Sequence, residues 1–210
     1  MAHAQLLLSG KTTGSFVDLA EANTTVTNTP DGSYAKFSTG IPFGASTQSS
    51  IEFSNDTFTD VGYGEPIQVG LFTIVNGRTL VGTGAPTAQF NLGLELTSPA
   101  WQEVALSTIT FNIDHTPNSG STIPDQFSVS FNQPAPLHIG DYLVQFHVHF
   151  DPTEFVVGED TSVTRGDITV TFTPVPEPST YAAFGAALLV GVVAYRRFRG
   201  DKNAALPAAA

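Results

Sequence analysis

The chain has 210 residues, no cysteine, 19 Asp+Glu against 8 Lys+Arg and a formal net charge of −11. The absence of cysteine excludes disulfides, thiolate zinc sites and thiol nucleophiles. The acidic balance argues against nucleic acid as a partner, because a phosphate backbone is neutralised by Lys and Arg.

At the front, Ala2-His3-Ala4 fits an A-x-A cleavage site, but no basic segment and no apolar stretch of 7–15 residues precedes it. Leu6-Leu7-Leu8 is too short to serve as one. The expectation is that residues 1–4 are the remnant of a signal-peptide cleavage region and that the true start lies upstream of Met1.

Residues 5–173 read as strands. Ile67 to Val75 followed by Asn76-Gly77 and Arg78 to Val81 predicts a two-residue hairpin, since Asn-Gly tolerates positive φ at both turn positions. The apolar phase slips between Leu71 and Phe72, which predicts a bulge near there. Phe90, Leu92, Leu94 and Leu96 then alternate with polar residues or glycine, as do Ile109, Phe111 and Ile113. So do Phe127, Val129 and Phe131, then Tyr142, Val144, Phe146, Val148 and Phe150, then Ile168, Val170 and Phe172. Period-two alternation places one face inward and one in water, a pattern that antiparallel sheets commonly tolerate. The predicted fold is all-β: an antiparallel β-sandwich, jelly-roll-like, of about eight to ten strands. Its core is built on the chain's 16 phenylalanines.

The chain changes character at the C-terminal end. Val175-Pro176-Glu177-Pro178-Ser179-Thr180 leads into an uncharged apolar run from Tyr181 to Tyr195, closed by Arg196, Arg197 and Arg199. As a helix those 15 residues measure about 22 Å, short against a hydrocarbon core of about 30 Å. Phe184, Leu188, Leu189, Val190, Val192 and Val193 carry nearly all the insertion energy, about −2 to −4 kcal/mol in sum. Tyr181 and Tyr195 suit the interfaces, and the arginines can snorkel. A single short transmembrane helix that anchors weakly is therefore predicted. Residues 1–175 hold 4 Lys+Arg against 17 Asp+Glu, whereas Arg196, Arg197, Arg199 and Lys202 face only Asp201 after Tyr195. The basic flank belongs on the cytoplasmic side of the inner membrane, which puts the acidic body outside.

Val175 to Arg199 resembles the PEP-CTERM sorting signal of surface proteins of Gram-negative bacteria and cyanobacteria, the motif at 175–180, the membrane helix at 181–195 and the basic stop at 196–199. The resemblance implies recognition by an exosortase, a membrane-embedded, transpeptidase-like cysteine protease. Cleavage is then expected near Pro176-Glu177-Pro178, with delivery of the body to the cell surface or the extracellular matrix. The signal as a whole is assigned to 174–199, and the Ala-rich residues 200–210 are expected to be a disordered tail. In the body, Phe43-Gly44, Ser49-Ser50-Ile51-Glu52-Phe53, Gly64-Glu65-Pro66-Ile67-Gln68-Val69-Gly70-Leu71-Phe72, Asn76-Gly77 and Gly82-Thr83-Gly84 resemble the choice-of-anchor K domain. That family comprises bacterial surface domains joined to interchangeable C-terminal anchors. It brings no activity with it.

Within the body the candidate chemistry is sparse. His147 and His149 flank Val148 and share a strand face close to Asp151, so they are either a pair of metal ligands or polar residues of a wet face. Asp56, Asp60, Asp125, Glu154, Glu159 and Asp160 admit a loop calcium site, a glycosidase pair or a solvated surface. No calcium-loop pattern and no G-x-S-x-G elbow accompanies them. Trp101, the sole tryptophan, is expected to pack in the core or a turn, the alternative being a stacking platform for a sugar ring. No catalytic residue, metal or cofactor is predicted. The expected function is a non-enzymatic structural or adhesive module linked to exopolysaccharide. A lectin-like carbohydrate binder is the second reading and a secreted glycan-active enzyme the third.

Overall fold

A computed structural model describes residues 7–62, 64, 66–80, 86–98, 100–115, 124–139, 142–175 and 178–200. The expected leader remnant and the tail beyond Gly200 lie outside the described residues. The strands, in order, are β1 (Leu8–Val17), β2 (Thr24–Asn28), β3 (Tyr34–Thr39), β4 (Ser49–Asn55), β5 (Thr57–Val61), β6 (Ile67–Asn76) and β7 (Thr87–Ser98). They continue with β8 (Gln102–Asp114), β9 (Asp125–Phe131), β10 (Leu137–Ile139), β11 (Tyr142–Phe150), β12 (Glu154–Val157) and β13 (Thr161–Pro174), and the helix α1 (Pro178–Gly200) ends the described chain. The strands pair antiparallel throughout and form two sheets, ordered β12-β9-β8-β7-β1-β5 and β10-β11-β13-β6-β4-β3-β2.

The inward phase of each long strand is the one its alternation dictates. Phe90, Leu92, Leu94 and Leu96 on β7, Ile109, Phe111 and Ile113 on β8, and all five of Tyr142, Val144, Phe146, Val148 and Phe150 on β11 are buried. Phe72 sits at the centre of the sandwich. Its ring lies 5.3 Å from Phe53, 5.0 Å from Phe90, 5.4 Å from Phe111 and 5.3 Å from Phe150, in tilted or edge-on arrangements. Those geometries align ring edges with ring faces and add to the apolar area buried.

Side-chain amides close the corners. Phe16 N–H donates to Asn28 Oδ1 at 3.0 Å while Asn28 Nδ2 donates to Phe16 O at 2.9 Å, so one amide supplies both halves of a strand pairing. Gln133 does the same for Val148, accepting from its N–H at 3.0 Å and donating to its carbonyl at 2.7 Å. Each satisfies a backbone donor and acceptor at a point where the sheet supplies no partner.

The predicted Asn-Gly hairpin does not form. Asn76 ends β6 fully buried, accepting from Ser49 Oγ at 3.2 Å and donating to Val157 O at 2.7 Å. A Cβ on Gly77 would meet Thr47 O at 2.0 Å, so glycine is required here by close passage of two backbones and not by a turn. The chain then runs beside residues 41–43, with Phe43 N–H donating to Arg78 O, Leu80 N–H to Ile41 O, and a bridge between Pro42 and Thr79. The bulge expected near Leu71 and Phe72 is present: on the β13 side the register skips Val69, and a second irregularity makes Arg165 the extra residue opposite Phe72 and Thr73. The strand number exceeds the expectation because the short edge strands β2, β5, β10 and β12 offer few large inward residues to betray them.

Candidate functional site

α1 carries the C-terminal signal. Val175 lies exposed just past β13; Pro176 and Glu177 lie outside the described residues; Pro178, Ser179 and Thr180 form the first turn of the helix. Proline suits that first turn because its missing N–H would have no partner there anyway. Phe184, Leu188, Leu189, Val190, Val192, Val193 and Tyr195 are each at least half exposed, and none belongs to the core. Arg196 and Arg197 are exposed beyond them, and Tyr181 and Arg199 lie on the helical backbone.

The expectation of a membrane-spanning helix is corrected in one respect. Among the described residues no helix is long and apolar enough to cross a membrane. The 23 residues of α1 measure about 34 Å, which is sufficient length. Its uncharged run, however, covers only Tyr181 to Tyr195, and seven of those 15 residues are Ala or Gly. Large apolar side chains are therefore few along it, in keeping with the weak anchor expected.

The body candidates are scattered. His147 and His149 point outward from β11, opposite Thr169 and Asp167, and His149 Nδ1 lies 3.2 Å from Asp167 Oδ1. Among the described residues no group of three or more His, Cys, Asp or Glu is placed to hold a metal ion. Asp56 accepts from Thr57 N–H at 2.8 Å, and Asp60 takes a left-handed backbone with its N–H donating to Ser9 Oγ. Glu154 is exposed on β12. Arg78 binds Glu159 at 3.0 Å and Asp160 at 3.3 Å, which ties the segment after β6 to the β12–β13 turn. The Asp160 carboxyl is held below its usual range by the Ser46 hydroxyl, then by the backbone and charge of Arg78. Asp125 is buried against His115, Nδ1 to Oδ2 at 2.8 Å, a pairing hidden in the sequence because a connection separates β8 from β9.

Trp101 reverses its expectation: it is 68% exposed at the turn between β7 and β8. The outward face of the six-stranded sheet carries a groove that sequence reasoning missed. Three cross-strand rows define it. Lys11, Glu95 and Glu103 form the first, Thr13, Gly93 and Ala105 the second, and Ser15, Asn91 and Thr108 the third. The middle row is low because Gly93 and Ala105 have little or no side chain. A Cβ on Gly93 would meet Thr13 Oγ1 at 2.6 Å, so a larger residue there would displace the Thr13 side chain. The register of β8 slips there, leaving Leu106 as an extra residue that packs against the core.

The turn between β2 and β3 walls the groove. Gly14 N–H donates to Gly32 O at 2.9 Å, and Gly32 takes φ +66°, with a would-be Cβ only 2.8 Å from Thr13 Cβ. Asp31 accepts from Ser33 Oγ at 2.8 Å and from Ser33 N–H at 3.1 Å. Those bonds lower its pKa from 3.8 to about 2. Lys11 Nζ reaches Glu95 at 3.4 Å and Asp31 at 3.8 Å. The resulting concavity has a volume of about 430 Å³. Asp31, Glu95 and Glu103 line it, with hydroxyl and amide donors along its sides, and Lys11 is paired with Asp31 and Glu95 at its rim. The lining offers acceptors for hydroxyl or cationic groups and an acidic field unfavourable to anions.

Against this geometry, residues 174–197 match the model of the PEP-CTERM protein-sorting motif. The match covers the Pro-Glu-Pro element, the apolar run and the first two arginines, and it marks the chain as an exported, exosortase-targeted surface protein, membrane-anchored before cleavage. No curated protein matches the chain. The resemblance of the body to choice-of-anchor K domains finds no support.

Proposed function

We propose that the chain is a surface or extracellular-matrix protein whose sandwich serves as a non-enzymatic structural or adhesive module within an exopolysaccharide layer. The signal at 174–197 carries the reading. It lies on a helix whose large apolar side chains are exposed, beyond a sandwich whose core contains no helical residue. The exposure of Phe184 to Tyr195 supports this, because a segment packed into the body would be hidden from a membrane protease. In the inner membrane the weakly apolar Tyr181–Tyr195 run holds the precursor transiently, with Arg196, Arg197 and Arg199 inside and the acidic body outside. Weak insertion suits a precursor that is to be released and not retained. Exosortase then cuts near Pro176-Glu177-Pro178, in the short link between β13 and the apolar part of α1.

Mass spectrometry of the released body tests this. A new C-terminus between about Val175 and Ser179 is expected. A released protein that retains Arg196–Arg199 would contradict it.

A further inference from the structure

We infer that the groove across β1, β7 and β8 binds amino-sugar units of a glycan chain, seated on the Gly93–Ala105 floor and held by Glu95, Glu103 and Asp31. The inference rests on the surface-module reading and deepens it by naming what the exported body grips.

Four observations carry it. The floor is shaped by residues, not by accident of packing: Gly93 cannot accept a Cβ without striking Thr13, and β8 bulges at Leu106 beside it. Bulges of this kind re-aim side chains and are common next to binding sites. Glu95 and Glu103 stand directly opposite each other on β7 and β8, an arrangement that costs stability because like charges face at close range. Lys11 relieves Glu95, on the far side from Glu103, so a cation placed over the pair would relieve the remainder. The volume of about 430 Å³ lies within the range of small-ligand pockets, about 300–1,000 Å³. Finally, Trp101 stands two residues ahead of Glu103 with most of its surface in water, where an indole can lie against the apolar face of a sugar ring.

The charge decides between glycans. Three carboxylates and one ammonium repel uronic-acid or sulfated chains, accept neutral ones through hydroxyl contacts, and favour those bearing a protonated amine. The amine would lie over Glu95 and Glu103 while ring hydroxyls meet Thr13, Ser15 and Asn91.

Calorimetric titration of the whole chain in detergent micelles tests this with three tetramers as probes: glucosamine, N-acetylglucosamine and galacturonate. Trp101 emission is followed in parallel, since it is the sole tryptophan. Saturable binding is expected, tightest for the glucosamine tetramer and undetectable for galacturonate. Ala105→Leu, at an exposed position of β8, fills the floor and is expected to weaken binding about tenfold or more. Glu103→Gln, which breaks no ion pair, should erase the preference for the free amine over the acetylated form. Circular dichroism melts confirm that both variants fold. No binding by the glucosamine tetramer, equal binding by galacturonate, or full binding by Ala105→Leu would each overturn the inference. Surface release in cells reads the other proposal separately: normal release with no glycan binding sinks only the groove, and failed release with intact binding sinks only the sorting account.

Discussion

Phe72 touches four other phenylalanine rings and is wholly buried. Truncating it to alanine removes those contacts and leaves a cavity that a sheet core cannot collapse around, so Phe72→Ala is expected to cost about 3–5 kcal/mol in urea denaturation. Asp31 offers a pH-dependent counterpart at the surface. Its folded pKa, about 2, lies below the ordinary 3.8, so the ionised carboxylate stabilises the β2–β3 turn fully above pH 4. That contribution fades as pH falls from about 4 to 2, because the unfolded chain takes up the proton first. Melting temperatures of wild type and Asp31→Asn, followed from pH 6 to pH 2, are expected to converge across that window. A constant gap would show that the carboxylate charge does nothing for the fold. His115 and Asp125, 5% and 1% exposed in their side chains, form the one buried His–Asp pair among the described residues. Asp125→Ala would strand the imidazole.

At the scale of elements, the sequence disclosed what side chains repeat and concealed what backbones do. The alternation on β7, β8 and β11 was legible because each inward position is large and apolar. Asn76-Gly77 misled because a glycine demanded by backbone crowding is indistinguishable, in one dimension, from a glycine demanded by a turn. The groove was illegible for a related reason: Glu95 and Glu103 become neighbours only once the register of the β7–β8 hairpin is fixed. Trp101 looked like a packing residue because aromatic side chains usually are, and only its position on the turn exposes it. The corner amides were equally hidden. Gln133→Ala removes a donor and an acceptor from Val148, and its two lost bonds are expected to cost about 1–3 kcal/mol, measurable in the same denaturation assay. Truncation after Val175, by contrast, removes an element that contributes nothing to the core, so the sandwich should melt at an unchanged temperature. A marked drop would mean that α1 supports the body.

The whole molecule is electrically two-ended. Its first 175 residues carry 17 acidic and 4 basic side chains, and the stretch after Tyr195 carries four basic residues and one acidic. That asymmetry, the exposed helix and the sorting-motif match at 174–197 converge on one account: a folded acidic body held briefly at a membrane and then released. The most direct test replaces Pro176-Glu177-Pro178 with three alanines and fractionates the cells. The account predicts full-length precursor accumulating in the inner-membrane fraction, with none reaching the surface or the medium. Normal release of that variant, cut at the same place, would contradict it.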